Sequence, residues 1–324
     1  MAVIVGIDEA GYGPLLGPLV VSATAFTVPD DSLKADMWKV LGKAVGKAKR
    51  GLSGRVLITD SKKAYTKSSG VGHLRRSVLA SLVCSGGDAG FCGTAGEMLR
   101  AVCPGCFERL GGYAWYAGLD ELSLGADKGD VEITASVLGK ALGENNMALR
   151  SVASRCLDVG YYNGQVEIVK NKSNVLFTAL CGLIWEVFEA AGRDEVMQVI
   201  VDRQGGRIRY GGPLMRMFPG MELTILRESE EMSSYEMVDG AGKKMRLHFT
   251  MKADQHFLPV SLASMVSKYV REVMMDSINN YFQAFCPDIK RTAGYWQDGQ
   301  RFVKDIAEMA PDLEYDPAMF IRTR

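Results

Sequence analysis

Asp8 and Glu9 lie side by side where an apolar, largely β-branched run, residues 3–7, meets a glycine-rich stretch, with no cation next to them in the sequence. Two carboxylates brought to the interior or its rim are costly unless positive charge offsets them. A divalent metal is an economical offset, because hard Mg2+ or Mn2+ prefers carboxylate oxygen and retains several waters. The pair alone also fits a solvated strand end with a capping Asp. Asp202 tilts the reading toward metal chemistry. It ends a second apolar run, VMQVIVD, ahead of Arg203, Gly205 and Gly206, and carboxylates at strand ends can converge. A fourth is available on a helix at Glu272 or Asp276, four residues apart on one face, although each taken singly also fits a solvated flank paired with Lys268.

Such residues need strands and a helix to carry them. Residues 3–7 and 19–26 read as two strands joined by a turn segment containing Gly11, Gly13, Pro14, Gly17 and Pro18. A helix over 33–49, a short strand over 55–58 and, after the polar segment 60–69, a helix over 72–84 are expected next. From 86 to 162 the periodicity weakens, and the spacing predicts a helix only near 133–143. Beyond it come a strand over 165–169, a helix over 174–191 capped by Asn174, a strand over 196–201 running into Asp202, and a long loop holding the acidic stretch 228–231. The strongest helix spans 260–285, where Leu262, Val266, Tyr269, Val270 and Val273 recur at three- and four-residue steps. Two strands joined by a turn do not follow the alternating βα register of a Rossmann fold, and Gly11, Gly13 and Gly17 have the wrong spacing for its dinucleotide fingerprint.

Gly6-Ile7-Asp8-Glu9-Ala10-Gly11-Tyr12-Gly13-Pro14-Leu15-Leu16-Gly17-Pro18 resembles the opening motif of ribonuclease HII. In the same order as in that family, Asp60-Ser61-Lys62-Lys63 resembles its Asp-Ser-Lys segment and Val201-Asp202 its second catalytic strand end. Lys252-Ala253-Asp254 with the stretch 261–272 resembles its Lys-Gly-Asp segment and its alanine- and serine-rich helix, and Gly294-Tyr295 echoes a glycine-tyrosine step. The resemblance implies an α/β fold with a ribonuclease H-like mixed β-sheet flanked by helices, an insertion and a helical C-terminal region. The expected division is core 1–87, insertion 88–162 peripheral to the chemistry, and core 163–324.

It also implies a two-metal Mg2+ or Mn2+ endonuclease that hydrolyses the RNA strand of RNA/DNA hybrids, leaving 3′-hydroxyl and 5′-phosphate ends. Asp8, Glu9, Asp202 and Glu272 would be catalytic and metal-binding, with Asp8 bridging two cations about 4 Å apart. Gly11, Tyr12, Gly13, Ser61, Lys62, Lys63 and Lys268 would contact substrate, either a hybrid or duplex DNA containing a ribonucleotide, and Arg271 is a further candidate for flanking phosphates. The family usually has Arg where this chain has Tyr12, and Asp where it has Glu272. Tyr12 offers one hydroxyl in place of a fixed planar cation, so preference for an RNA-to-DNA junction is expected to weaken. Both departures motivate an alternative from another class, a catalytically silent relative that only binds nucleic acid.

Composition narrows the setting. The 324 residues, 47% hydrophobic and 23% charged, suit one large or two small domains with a sizeable core. Lys and Arg together number 38 and balance 38 Asp and Glu, so a nucleic-acid partner must be held by a local patch. The opening MAVIVGIDEAG reads as a buried strand and not a signal peptide, and no apolar window is long enough for a membrane span. Seven irregularly spaced cysteines suggest reduced thiols and a cytoplasmic protein. Cys103 and Cys106 could join Cys84 and Cys92 around zinc, but one two-residue spacing fits a tight turn with free thiols better. His73, His248 and His256 lack ligand spacing.

Overall fold

A computed structural model describes residues 1–65, 70–86 and 90–323. Seven strands, β1 (Ala2–Ala10), β2 (Leu19–Val28), β3 (Ala148–Leu157), β4 (Val196–Asp202), β5 (Met221–Glu228), β6 (Met232–Asp239) and β7 (Lys244–Thr250), form one sheet in the order β3-β2-β1-β4-β7-β6-β5. The β1–β4 and β4–β7 pairs are parallel and the other neighbours antiparallel. The longer helices are α1 (Gly72–Cys84), α2 (Lys128–Glu144), α3 (Lys172–Ala190), α4 (Leu258–Phe285) and α5 (Trp296–Met309). This is the mixed sheet flanked by helices, with a helical C-terminal region, that the resemblance implies.

A central strand covered on both faces must be apolar on both, which is why residues 2–7 form an unbroken apolar run. Val3, Val5 and Ile7 belong to the core beneath α3, and Ile4 to the core beneath α4. The α4 helix lies so close to the sheet that a Cβ on Gly6 would stand 2.2 Å from Pro259 C and Val260 N. Buried Ser261, Ala263, Ser264 and Ser267 keep that face of α4 thin. Ser267 Oγ donates to Asp8 O at 3.0 Å and lies within hydrogen-bonding distance of Ser22 Oγ at 2.8 Å, fixing the helix against the end of β1.

Several expected elements differ. The helix expected over 33–49 is reduced to Met37–Val40, capped by Asp36 and ended at Leu41, and Val45–Gly46 pairs in parallel with Val56–Leu57. The strand expected over 165–169 lies in the helix Val159–Val169, where an Asp158 cap and buried Tyr162 and Val166, four residues apart, favour the helix. The cap of α3 is Asn171 and not Asn174. The long loop after Asp202 is a short helix, Gly211–Met217, followed by the β5–β6 hairpin, whose alternate residues Tyr235 and Met237 are buried.

The stretch 88–162, expected as an insertion, supplies β3, which pairs with β2 over most of its length and so belongs to the sheet. Residues 66–69 of the expected polar segment, and 87–89 around the expected division, lie outside the described residues. One helix among the described residues, α3, does match a membrane span by length and composition, with a mean hydropathy of 1.3, contrary to the expectation from the sequence. Its Leu176, Leu180, Leu183 and Ile184 are buried in the core against the sheet.

Candidate active site

Strand alternation decides which way each carboxylate turns. Val199 and Val201 share the α3-side core with Val5 and Ile7, so Asp8 and Asp202, one residue further along, turn toward α4. Because Ile7 pairs with Val201, the two carboxylates leave neighbouring strand ends abreast, and neighbouring strands are about 4.8 Å apart. Asp8 Oδ1 accepts from Glu9 N at 2.8 Å, and Asp202 Oδ1 accepts from Ala253 N at 2.7 Å. Burial, followed by the charges of Glu9 and Asp202, pushes the Asp8 carboxyl well above the usual range. Burial and then Asp202 raise Glu9 to about 7, and burial raises Asp202 to about 6. Asp254 adds to the strain at Asp202, and its own carboxyl is raised by burial and by Asp60. Lys62, on the short helix Ser61–Ala64, offsets part of this charge at Glu9, Asp202 and Asp254.

A buried, one-signed set of hard oxygen donors suits a divalent cation. As the side chains stand, no group of three or more His, Cys, Asp or Glu among the described residues is arranged to hold a metal ion. Glu272 is held elsewhere: its Oε1 lies 2.5 Å from Lys268 Nζ, with both side chains less than a fifth exposed. Lys268 also faces the Tyr65 ring at 5.0 Å, so it is not a free phosphate contact. Asp276 is half-exposed and paired with Arg291 at 2.8 Å.

The turn after β1 is gripped from behind. Gly11 has φ +87°, and a Cβ there would stand 2.6 Å from Pro18 O. Arg271 is fully buried and donates to Pro18 O at 3.0 Å, Leu16 O at 3.2 Å and Ala293 O at 2.9 Å, so it braces the loop. Leu15 N and Leu16 N both donate to Gly294 O, which docks the Gly294-Tyr295 step on the same loop. Tyr12 is partly buried, with Lys172 Nζ 5.2 Å from its ring, whereas a Cβ on Gly13 would meet nothing within 4 Å. Ser61 is buried and its hydroxyl accepts from Ser264 Oγ at 3.0 Å, a packing contact, while Lys62 and Lys63 are exposed.

Solved structures that this chain resembles include ribonucleases HII, HIII and H2. The ribonuclease HII of Archaeoglobus fulgidus, solved with PCNA, matches at 15% identity over 99% of this chain and 94% of that one, with a TM-score of 0.46. Bst-RNase HIII, solved with Mn2+, matches at 14% identity over 99% of this chain and 66% of that one, TM-score 0.47. The ribonuclease H2 of Pyrococcus horikoshii OT3 matches at 13% identity over 99% and 92%, TM-score 0.39. No protein-family model matches the chain, and no curated protein is significantly similar to it.

Three further residues belong to this neighbourhood. Arg322 donates through Nη1 to Gly11 O and through Nη2 to Tyr12 O at 3.2 Å, although 310 residues separate it from Tyr12. Nothing local in the sequence marks it. Arg207 donates to Ser173 Oγ at 2.9 Å and lies near enough to act on the Tyr12 phenol. Asp254 stands in the Lys-Ala-Asp segment that carried part of the resemblance, and its position after β7, which is parallel to β4, explains its approach to Asp202.

Proposed function

We propose that this protein is a divalent-metal-dependent endonuclease hydrolysing the RNA strand of RNA/DNA hybrids, to 3′-hydroxyl and 5′-phosphate ends. The observation that carries the reading is that Asp8 and Asp202 stand abreast at the ends of adjacent parallel strands, with Glu9 next to Asp8, and that burial and neighbouring negative charge raise all three carboxyls. Mg2+ or Mn2+ would be held by these three carboxylates and would supply the positive charge that a phosphodiester needs on its attacking and leaving oxygens. The two backbone donors, Glu9 N and Ala253 N, orient Asp8 and Asp202, and Ser267 anchors the strand end under them. Exposed Lys62 and Lys63 on one side, and Lys172 beside the Gly11–Tyr12–Gly13 turn on the other, suit the flanking phosphates of a nucleic-acid duplex.

A second reading, a binder without catalysis, is favoured by one observation: Lys268 neutralises Glu272, the expected fourth carboxylate. One assay separates the two. An end-labelled RNA/DNA hybrid is incubated with the protein and Mg2+ or Mn2+, and again with EDTA. Cleavage abolished by EDTA is expected, and binding without metal-dependent cleavage would overturn the enzymatic reading.

A further inference from the structure

Far along the chain from the acidic residues, Cys103-Pro104-Gly105-Cys106 forms a tight corner between the short helices Ala95–Val102 and Pro104–Leu110. The two sulfurs are 2.9 Å apart. All seven cysteines of the chain are free thiols. Arg109 staples this corner to the sheet: Nη1 donates to Gly105 O at 2.7 Å, Nη2 to Cys156 O at 2.9 Å, and Nε to Asp158 Oδ2 at 2.8 Å. The corner is therefore fixed against β3, with Cys156 as a third sulfur beside it, 3.2 Å from Met274 Sδ. Cys103, Cys106 and Cys156 all line one cleft of about 510 Å3, closed on its far side by β3 and α3 through residues such as Arg155 and Thr178. A cleft of that size accommodates a small peptide-like molecule.

The three thiols are not equivalent. The hydrogen bond from Cys103, then that from Cys156, holds the Cys106 thiol down at about 4, with Arg109 adding to the effect, while the same contacts push Cys103 and Cys156 up. A thiolate beside a neighbouring protonated thiol, in a fixed two-residue spacing, is the arrangement that thiol–disulfide exchange requires.

We propose that Cys103 and Cys106 are a redox-active dithiol that exchanges with a low-molecular-weight disulfide entering this cleft. The Cys106 thiolate attacks one sulfur of the disulfide, forming a mixed disulfide and expelling one thiolate. Cys103 then gives its proton to that thiolate and attacks the Cys106 sulfur, closing the Cys103–Cys106 bond and releasing the second thiolate. Two protein sulfurs are oxidised by two electrons, and the small disulfide leaves as one thiol and one thiolate, the thiolate taking up from solvent the proton that Cys106 had released. This inference is independent of the carboxylate site.

The test uses the intact chain and oxidised glutathione as probe. After treatment, free thiols are alkylated and the protein is mapped by mass spectrometry. The expected result is the loss of two alkylatable thiols, with the new bond inside the peptide containing Cys103 and Cys106, reversed by dithiothreitol. Retention of all seven thiols, or a bond placed between any other pair, overturns the proposal. In Cys106→Ser the two-thiol loss is expected to vanish, and its persistence would equally overturn it.

Discussion

Asp8 and Asp202 each accept one backbone N–H, and the amide oxygen of Asn can accept the same bond. Replacing either by Asn therefore preserves shape and hydrogen bonding while removing one of the repelling charges. Cleavage of a hybrid should fall by more than about 100-fold in Asp8→Asn and in Asp202→Asn, while the metal-free melting temperature stays level or rises by about 1–3 °C. Near-normal activity in either variant would refute the assignment. At Tyr12 the question is substrate choice. Losing a charge-assisted hydrogen bond costs about 1.5–3 kcal/mol, so the native protein should prefer continuous hybrids over a single ribonucleotide embedded in DNA. Tyr12→Arg should improve incision at the single ribonucleotide by roughly tenfold. Lys172 near the ring already supplies a cation at this corner. A native preference for the single ribonucleotide, unchanged by the substitution, would show that Tyr12 does not set specificity.

Among the elements, α4 and β1 are the pair that most directly shapes the site, because the backbones touch at Gly6. Gly6→Ala would drive a methyl to 2.2 Å from backbone atoms that cannot swing aside, and overpacking of this kind costs about 1–3 kcal/mol. Gly13→Ala meets open space, so its stability should stay within about 0.5 kcal/mol of the native value. Urea unfolding of the two variants compares them directly, and a KM increase confined to Gly13→Ala would mark close substrate approach at that turn. On the same face of the sheet as Asp202, His248 joins three strands, hydrogen-bonded to Ser234 Oγ and to Gln198 Oε1, both at 2.9 Å. Burial lowers its imidazole below the ordinary value. The unfolded chain then takes up the proton first as pH falls, so this group's contribution is full above about 6.5 and declines below it. His248→Gln should flatten the stability–pH curve below that point, and an unchanged slope would exclude the residue as its source.

At the scale of the whole molecule, residues 310 positions apart in the sequence meet behind the proposed site. Arg322 holds the carbonyls of Gly11 and Tyr12, its own backbone N–H donates to Leu15 O at 2.9 Å, and its guanidinium lies 4.2 Å over the Tyr162 ring. Arg271 holds the next carbonyls from α4. The turn is thus positioned by the last described residues and by α4 together, and Arg322→Ala should cost about 1–3 kcal/mol through unsatisfied carbonyls. If the turn binds substrate, hybrid affinity measured with the Asp8→Asn protein should weaken as well. Native affinity in the doubly substituted protein would separate the turn's stability from its function.

The apolar runs that end in Asp8 and Asp202 were readable without coordinates, because a buried strand of a mixed sheet must be apolar on both faces and a carboxylate at its end stands out. The long periodicity of α4 was equally plain. Tertiary structure alone decided the rest. The stretch 88–162 looked irregular because the helices of its first half, Ala95–Val102 and Pro104–Leu110, are short, yet β3 inside it finds its partner in β2, more than a hundred residues away, and non-local pairing leaves little local trace. The β5–β6 hairpin, although its pairing is local, was hidden behind the charged turn near Glu230. Glu272 carries the right charge at the right register, but its side chain follows the nearer cation, Lys268, one turn back on the same helix. Whether a side chain serves a site or a neighbour is set by the distances around it, and those exist only once the chain has folded.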